Sequence, residues 1–377
     1  MTTVTVKASQ TYDVKIGRGL LDTLGEEAAR AFQGRTVCIV SDSNVAPHYL
    51  SQATHSLERA GFTVLAFVFP AGEEHKNGHT YLSLLEYLAQ EHLTRADGLV
   101  ALGGGVVGDL TGFAAATYLR GIPFLQLPTT LLAAVDASVG GKTAIDLENG
   151  KNLAGAFYQP KAVLCDLDTW ATLPADILSD GCAEVIKYGM IGDADLLDTL
   201  AKGDFREDPE EVVARCIAHK RDLVEQDEFD TGNRQLLNLG HTIGHGIEAC
   251  SGYQLAHGKA VAIGMTLVTR AAIHLGLCPE ATLPKLVNLL REYGLPTETD
   301  YPAADLLAKM LSDKKRAGDT ISLVVPTGWG KRGIRHQMVS AVAHYPLFRA
   351  VRGLNEYYPP LNSPSSSLGR DSLRSRV

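Results

Sequence analysis

Apolar residues in the first half of the chain fall into short β-branched runs, separated by stretches in which they recur with helical spacing. Thr36–Ser41 reads as a strand ending at Asp42, and Thr63–Phe69 as a second ending at Pro70. Gly98–Leu102 is a third, entering a glycine cluster, and Phe124–Leu127 a fourth, ending at Pro128. Between them, Tyr81–His92 and Gly108–Leu119 carry helical patterns. Such alternation buries both faces of a parallel sheet, so residues 1–175 predict an α/β domain with a Rossmann-like parallel sheet. After about Leu173-Pro174 the pattern becomes helical: Asp180–Met190, Pro209–Glu225, Thr242–Cys250, Ala260–Leu275 and Leu283–Tyr293. Only Thr320–Val325 reads as a late strand. Residues 176–330 therefore predict a mostly α-helical C-terminal domain.

Composition narrows the class. At 377 residues with 45% hydrophobic content and a mean hydropathy of zero, the chain reads as an ordinary globular protein of two cored domains. No apolar run approaches the roughly 18 residues that span a bilayer, and the N-terminus lacks a signal-peptide layout. Six cysteines stand singly with no Cys-x-x-Cys pair, the usage of a reducing compartment, so a cytoplasmic location is expected. A net charge of −8 argues against nucleic-acid binding. The charge is uneven: residues 331–377 hold eight Lys/Arg against two Asp/Glu, a net +6 on a body of −14. With Tyr-Tyr-Pro-Pro and a serine cluster, this segment reads as an atypical, poorly ordered basic tail.

The densest chemistry lies in Asn238-Leu-Gly-His241-Thr-Ile-Gly-His245 and the later His257. His241 and His245, four apart, share one helical face. With His257 and a carboxylate they suit a divalent-metal site that leaves a position for substrate. Glu184 is the candidate carboxylate, with Lys187 on the same face at i+3. Thr242 follows His241, so this is not the zinc-protease pattern. A His-x-x-x-His pair alone more often caps or fills a helix; the flanking glycines, the third histidine and Glu-x-x-Lys favour a metal.

Gly103-Gly104-Gly105-Val-Val-Gly108 follows a strand and opens a helix, a layout that lets backbone approach a diphosphate. No acid lies about 20 residues further on, where a Rossmann fold would hold the ribose; Pro128-Thr129-Thr130 is there instead, and Asp42 is the acid at a strand end. Val139-Gly-Gly-Lys142-Thr resembles half a P-loop, but Asp136 stands where its first glycine belongs. Lys142 and Asp136 read as a cation and a carboxylate flanking one ligand, joined by the polar Gly150-Lys151-Asn152 turn.

Together these blocks resemble the 3-dehydroquinate synthase family, from about Tyr12 to about Val325. They are Ser41-Asp42-Ser-Asn44-Val45, Pro70-Ala-Gly-Glu73-Glu-His-Lys76, Gly103-Gly-Gly-Val-Val-Gly-Asp109 and Tyr118-Leu-Arg120-Gly. Pro128-Thr-Thr-Leu-Leu, Val135-Asp136 to Lys142-Thr143, Gly150-Lys-Asn152, Ala183-Glu184-Val-Ile-Lys187-Tyr, Asn238-Leu-Gly-His241 and His257-Gly continue the series. The resemblance implies Zn²⁺ or Co²⁺ on Glu184, His241 and His257, with His245 left for substrate. It implies NAD⁺ on Asp42, Asn44, Glu73, Lys76, Gly103, Gly104, Gly105, Asp109, Thr129, Thr130, Lys142, Lys151 and Thr172. It implies 3-deoxy-D-arabino-heptulosonate 7-phosphate as substrate. Lys142, Asn152, Asn238, His245 and Lys314 or Lys315 would surround the phosphate, with Lys151 beside them. Lys220 and Arg234 would face the carboxylate, and Asp136 and Lys187 the hydroxyls. Asp136, Lys142, Lys187 and His245 would be the catalytic residues. Arg120 is similar to an arginine that family members insert into the neighbouring subunit, which implies a homodimer.

Two features depart from the family pattern: Lys259 in place of the usual glutamate after His-Gly, expected at the surface, and the basic tail. Other sugar-phosphate cyclases would share the cofactor groups but need neither Arg234 nor Lys220. A metal-dependent NAD polyol dehydrogenase would not need the phosphate set, and a non-catalytic scaffold would not need the metal residues.

Overall fold

Six short strands line up side by side as the parallel part of one sheet. The computed structural model describes residues 1–203, 205, 207–313, 320–330 and 335–340 (only the backbone of 311–313, 320, 321 and 335–340). The strands are β1 (Thr2–Lys7), β2 (Thr11–Gly17), β3 (Thr36–Asp42), β4 (Thr63–Phe69), β5 (Gly98–Gly103), β6 (Phe124–Pro128), β7 (Lys142–Leu147), β8 (Gly150–Phe157) and β9 (Ala162–Asp166). Seven of them form a sheet in the order β1-β2-β9-β6-β5-β3-β4, parallel except for the β1–β2 hairpin at one edge. Helices α1 (Leu24–Ala31), α2 (Ala46–Arg59), α3 (Gly78–Gln90) and α4 (Gly105–Thr117) supply the crossovers. Leu24, Ala28, Ala53 and Leu57 pack on one face of the sheet, and Leu84, Leu88, Leu110 and Ala114 on the other.

The strand order changes direction between β3 and β5. From β3 the chain moves outward to β4; from β5 it moves the other way through β6 to β9. The carboxyl ends of β3 and β5 therefore flank a crevice, the place where open α/β sheets take ligands.

Seven α-helices follow among the described residues: α5 (Ala175–Gly192), α6 (Ala194–Ala201), α7 (Pro209–Gln226), α8 (His241–Cys250), α9 (His257–His274), α10 (Thr282–Glu292) and α11 (Ala303–Asp313). Their core is continuous with the β1–β2 edge, where Val4, Val6, Val14 and Ile16 meet Val213, Ile217 and Val224 of α7. Side-chain bonds reinforce that seam: the Lys7 amide donates to Glu225 and the Ser9 amide to Glu228, both at 2.7 Å. No helix among the described residues is long and apolar enough to cross a membrane. All six cysteines are free, as their scattered spacing predicts.

The structure corrects several readings. The apolar pattern does not single out the β1–β2 edge, β9, or the antiparallel β7–β8 hairpin over 142–157, in which Lys142 and the Gly150-Lys151-Asn152 turn lie on paired strands. Thr320–Val325 is not the only late strand, because Arg335–Ser340 (β11) pairs antiparallel with it (β10). Of the 331–377 segment, Arg335–Ser340 form this strand; residues 331–334 and 341–377 lie outside the described residues.

Candidate active site

On the sheet side, Gly103 ends β5 and Gly104 precedes α4. A Cβ on Gly103 would stand 2.5 Å from the Val107 side chain, and one on Gly104 3.1 Å from that of Thr130. Neither position has room for a side chain, so bare backbone forms the turn where α4 begins, as a diphosphate site requires. At the end of β3, one Asp42 oxygen accepts from the amides of Asn44 (2.8 Å) and Val45 (3.0 Å), which fixes the turn beside the crevice. Lys76, 4% exposed, donates to Asp109 and to the Asn152 side chain, both at 2.6 Å, with Glu73 at 4.0 Å. Burial opposes its charge, but Asp109 and Glu73 outweigh that and raise its pKa. Lys151 reaches Glu248 at 3.1 Å and Glu73 at 3.7 Å. Thr129 is buried with its hydroxyl unpartnered, whereas the Thr130 hydroxyl accepts from the Ala133 amide. Thr172, exposed, meets the Tyr49 hydroxyl at 2.6 Å.

On the helical side, close helix packing assembles the histidines. Gly240, at φ 80°, turns the chain into α8, and a Cβ there would meet the Val261 carbonyl at 2.8 Å. A Cβ on Gly264 would stand 2.1 Å from the Gly240 carbonyl, so α8 and α9 cross in near backbone contact. His241 and His257, each the first residue of its helix, are thus brought to a ring separation of 5.1 Å. Asp180 of α5 holds the start of α9 by accepting from the Lys259 amide at 2.9 Å. The Lys259 side chain itself is half-buried rather than fully at the surface.

Both rings turn Nε2 toward Glu184 of α5, at 3.4 Å from His241 and 3.6 Å from His257. Glu184 is 0% exposed, and neither of its oxygens has a hydrogen bond of good geometry, although Lys187 pairs with it closely. Burial raises the Glu184 pKa, yet Lys187 and His241 outweigh it and hold the group ionised, at about 2. With Lys187 on Oε2, a buried Oε1 that faces two imidazole nitrogens without a hydrogen bond is a costly arrangement unless a cation sits among them. One ligand atom each of Glu184, His241 and His257 lies within 4.8 Å of the others, so the donor set fits a divalent metal. His245 stands a turn away, its ring 5.7 Å from that of His241 and 6.1 Å from that of His257.

Beside this group, Asp136 sits in a π turn (Ala133–Ala137), a kind of helical irregularity often found at functional sites. Lys220 reaches its carboxylate at 2.8 Å and its carbonyl at 2.6 Å, Tyr188 donates to it, and Lys187 is 3.9 Å away. Burial lowers the Lys220 pKa to about 8 despite Asp136. Arg234, 1% exposed, donates to the Gly140 carbonyl at 2.9 Å and to the Glu228 carbonyl, while its Nε has no partner. Asn238 closes the 3-10 turn just before α8 and is half-buried.

The sequence candidates thus gather into two adjoining groups, Lys76–Asp109–Asn152–Lys151 and Glu184–His241–His257–Lys187–Asp136–Lys220. Lys142 and Asp136, expected to flank one ligand, have different partners, because β7 directs Lys142 to Asp230. Asn152, expected at the phosphate, is held by Lys76 in the cofactor group. Arg120 stands apart, exposed in a turn at φ 69°. Lys314 and Lys315 lie outside the described residues. Sequence reasoning missed Tyr188, Asp230 and Glu248. Glu248 alone had a signal, since it follows His245 by three and His241 by seven positions along one helix.

Comparison with known proteins accords with this geometry. Residues 66–180 match the model of the 3-dehydroquinate synthase N-terminal family, and residues 181–316 that of the C-terminal family. A 3-dehydroquinate synthase of Pelobacter propionicus is 46% identical over 340 residues, covering 88% of this chain and 94% of that protein. One of Streptococcus suis is 43% identical over 334 residues, covering 87% and 94%. Among solved structures, 2-deoxy-scyllo-inosose synthase complexed with carbaglucose-6-phosphate, NAD⁺ and Co²⁺ superposes with a TM-score of 0.83 at 26% identity, covering 92% of this chain and 99% of that one.

Proposed function

The chain belongs to the 3-dehydroquinate synthase family and carries that family's activity; we propose that it converts 3-deoxy-D-arabino-heptulosonate 7-phosphate to 3-dehydroquinate and phosphate through the two groups just described. The observation that carries the assignment of roles is Glu184, fully buried beside Lys187, with one oxygen facing the Nε2 atoms of His241 and His257. These three would hold the metal, and Asp42, Glu73, Lys76, Asp109 and the Gly103–Gly105 turn would hold NAD⁺. When bound, the pair supplies Lewis acidity at a substrate hydroxyl and a reversible hydride acceptor.

The chain's own residues do the positioning. Lys187, between Glu184 and Asp136, would donate to a hydroxyl beside the metal; its charge is favoured by both carboxylates. Asp136, held by Lys220 and Tyr188, would accept from a second hydroxyl and keep the ring in one orientation. Lys220 and Arg234 would face the substrate carboxylate, with the unpartnered Arg234 Nε as a donor. Lys142, Asn238 and His245, with Lys314 or Lys315, would receive the phosphate. Asn152 and Lys151 would join the two groups. Spreading the work over many fixed donors suits a sequence of hydride transfer, phosphate loss, hydride return and ring closure.

Arg120, exposed in a left-handed turn, would reach the neighbouring subunit of a homodimer. We also place the functional division of the chain near residue 175, between the last sheet strand and α5, and the protein in the cytoplasm. The test is to incubate metal-loaded protein with the heptulosonate phosphate and NAD⁺. Phosphate and dehydroquinate should appear in equal amounts with no net NADH. Stoichiometric NADH without dehydroquinate would overturn the proposal in favour of a dehydrogenase.

A further inference from the structure

Glu248 belongs to no motif that pointed to the site, yet it is 1% exposed and stands between the two groups. Its Oε2 lies 3.5 Å from His257 Nδ1, and its Oε1 lies 3.1 Å from Lys151 Nζ. An isolated carboxylate could not stay ionised at such depth. Here it has a partner on each oxygen, the His257 imidazole and the Lys151 ammonium.

The two ring nitrogens of His257 therefore face two carboxylates, Nδ1 toward Glu248 and Nε2 toward Glu184. An acceptor at Nδ1 keeps the proton there, leaves the lone pair on Nε2 and fixes the ring plane. His241 obtains the same arrangement from the backbone, its Nδ1 lying 3.2 Å from the Leu239 carbonyl while Nε2 faces Glu184. The matched pair of tautomers thus rests on one carbonyl and one side chain.

We propose that Glu248 is a positioning residue: it sets His257 as the Nδ1–H tautomer with Nε2 presented to the metal, and through Lys151 it ties that ligand to the cofactor group. The inference rests on Glu184, His241 and His257 being the metal ligands. The competing arrangement makes Glu248 itself a ligand, because atoms of His245, Glu248 and His257 also lie within 4.8 Å of one another. That set would take a cation on Nδ1 of His257 and compete with Lys151 for Glu248. It would also leave the fully buried Glu184 Oε1 facing two imidazole nitrogens with no cation among them.

The test measures the zinc dissociation constant of the apo-protein by chelator competition in wild type, Glu248→Gln, Glu248→Ala and His257→Ala, with melting of each apo-protein as the fold control. Glu248→Ala should bind zinc 10- to 100-fold more weakly at unchanged stoichiometry, the usual effect of losing a carboxylate behind a ligand histidine. Glu248→Gln should fall between, since its amide oxygen still accepts from Nδ1–H but carries no charge. Wild-type affinity in both variants, with zinc lost in His257→Ala, overturns the proposal and leaves the ligand assignment standing. Zinc binding abolished in Glu248→Ala, as in His257→Ala, makes Glu248 a ligand and also overturns it. Zinc retained by His257→Ala sinks the ligand assignment itself. If Glu248→Ala does not fold, Glu248→Gln decides, and an affinity within twofold of wild type counts against the proposal.

Discussion

Arg234 offers the sharpest separation of structural from chemical roles. Its guanidinium is 1% exposed, sits 5.8 Å from the Phe157 ring centroid and donates to the carbonyls of Gly140 and Glu228. Replacing it with alanine removes two charged-donor hydrogen bonds, each worth about 1.5–3 kcal/mol net, and leaves both carbonyls short of a partner. The unfolding free energy should fall by about 3–6 kcal/mol, much of the stability of a typical domain. Separately, loss of the donor to the substrate carboxylate should cost about 1.5–3 kcal/mol in kcat/KM, roughly 10- to 150-fold. Urea unfolding followed by fluorescence reads the first quantity and steady-state turnover of the heptulosonate phosphate the second. Arg234→Lys keeps a charge but not the fork; it should recover part of the stability and little of the turnover. An alanine variant within about 1 kcal/mol of wild type in stability would refute the packing argument. One within twofold in kcat/KM would remove Arg234 from substrate binding.

Glu184→Ala and His257→Ala should each lose both zinc and activity, whereas His245→Ala should lose activity and keep zinc; atomic absorption showing the reverse pattern would overturn the ligand assignment. Lys220, whose folded pKa is lowered to about 8, is cationic below that pH and neutral above it, so kcat/KM should decline as pH rises through about 8. Lys220→Arg should move that alkaline limb upward, and an unmoved limb would assign it to another group. Truncation after Gly330 removes β11, the partner of β10, and should lower the melting temperature while leaving zinc content and turnover per folded molecule near normal. A truncated protein that is folded and metal-loaded but inactive would show that the removed segment serves the site.

What could be read in advance, and what could not, follows from the range of each interaction. β3 to β6 were legible because each is a short apolar run stopped by a turn residue, and Asp42 and the glycine cluster stand at two of those stops. Val4 and Val6, like Tyr12, Val14 and Ile16, do alternate, so the β1–β2 hairpin left a signal that was not used. α9 begins at His257, three residues before the expected Ala260, because Asp180 caps it from 79 positions away. No local pattern contains that bond. Likewise nothing near Lys142 announces Asp230, 88 positions off, so its closeness in sequence to Asp136 misled. The metal candidates were legible as residue types, but only the crossing of α8 and α9 shows which nitrogens converge.

The seam between the N-terminal hairpin and α7 bears on how the molecule is made. β2 pairs with β9, and β1 is bonded through Lys7 to Glu225. At about 5–20 residues per second on the ribosome, the first strand waits roughly 10–45 s for α7 to emerge. Contacts of such sequence separation form slowly, so the opening residues should be among the last seated. During that interval Val4, Val6, Val14 and Ile16, the side chains that α7 later covers, present an apolar face to other nascent chains. Early binding of a chaperone to this segment would shield the chain at its most exposed stage.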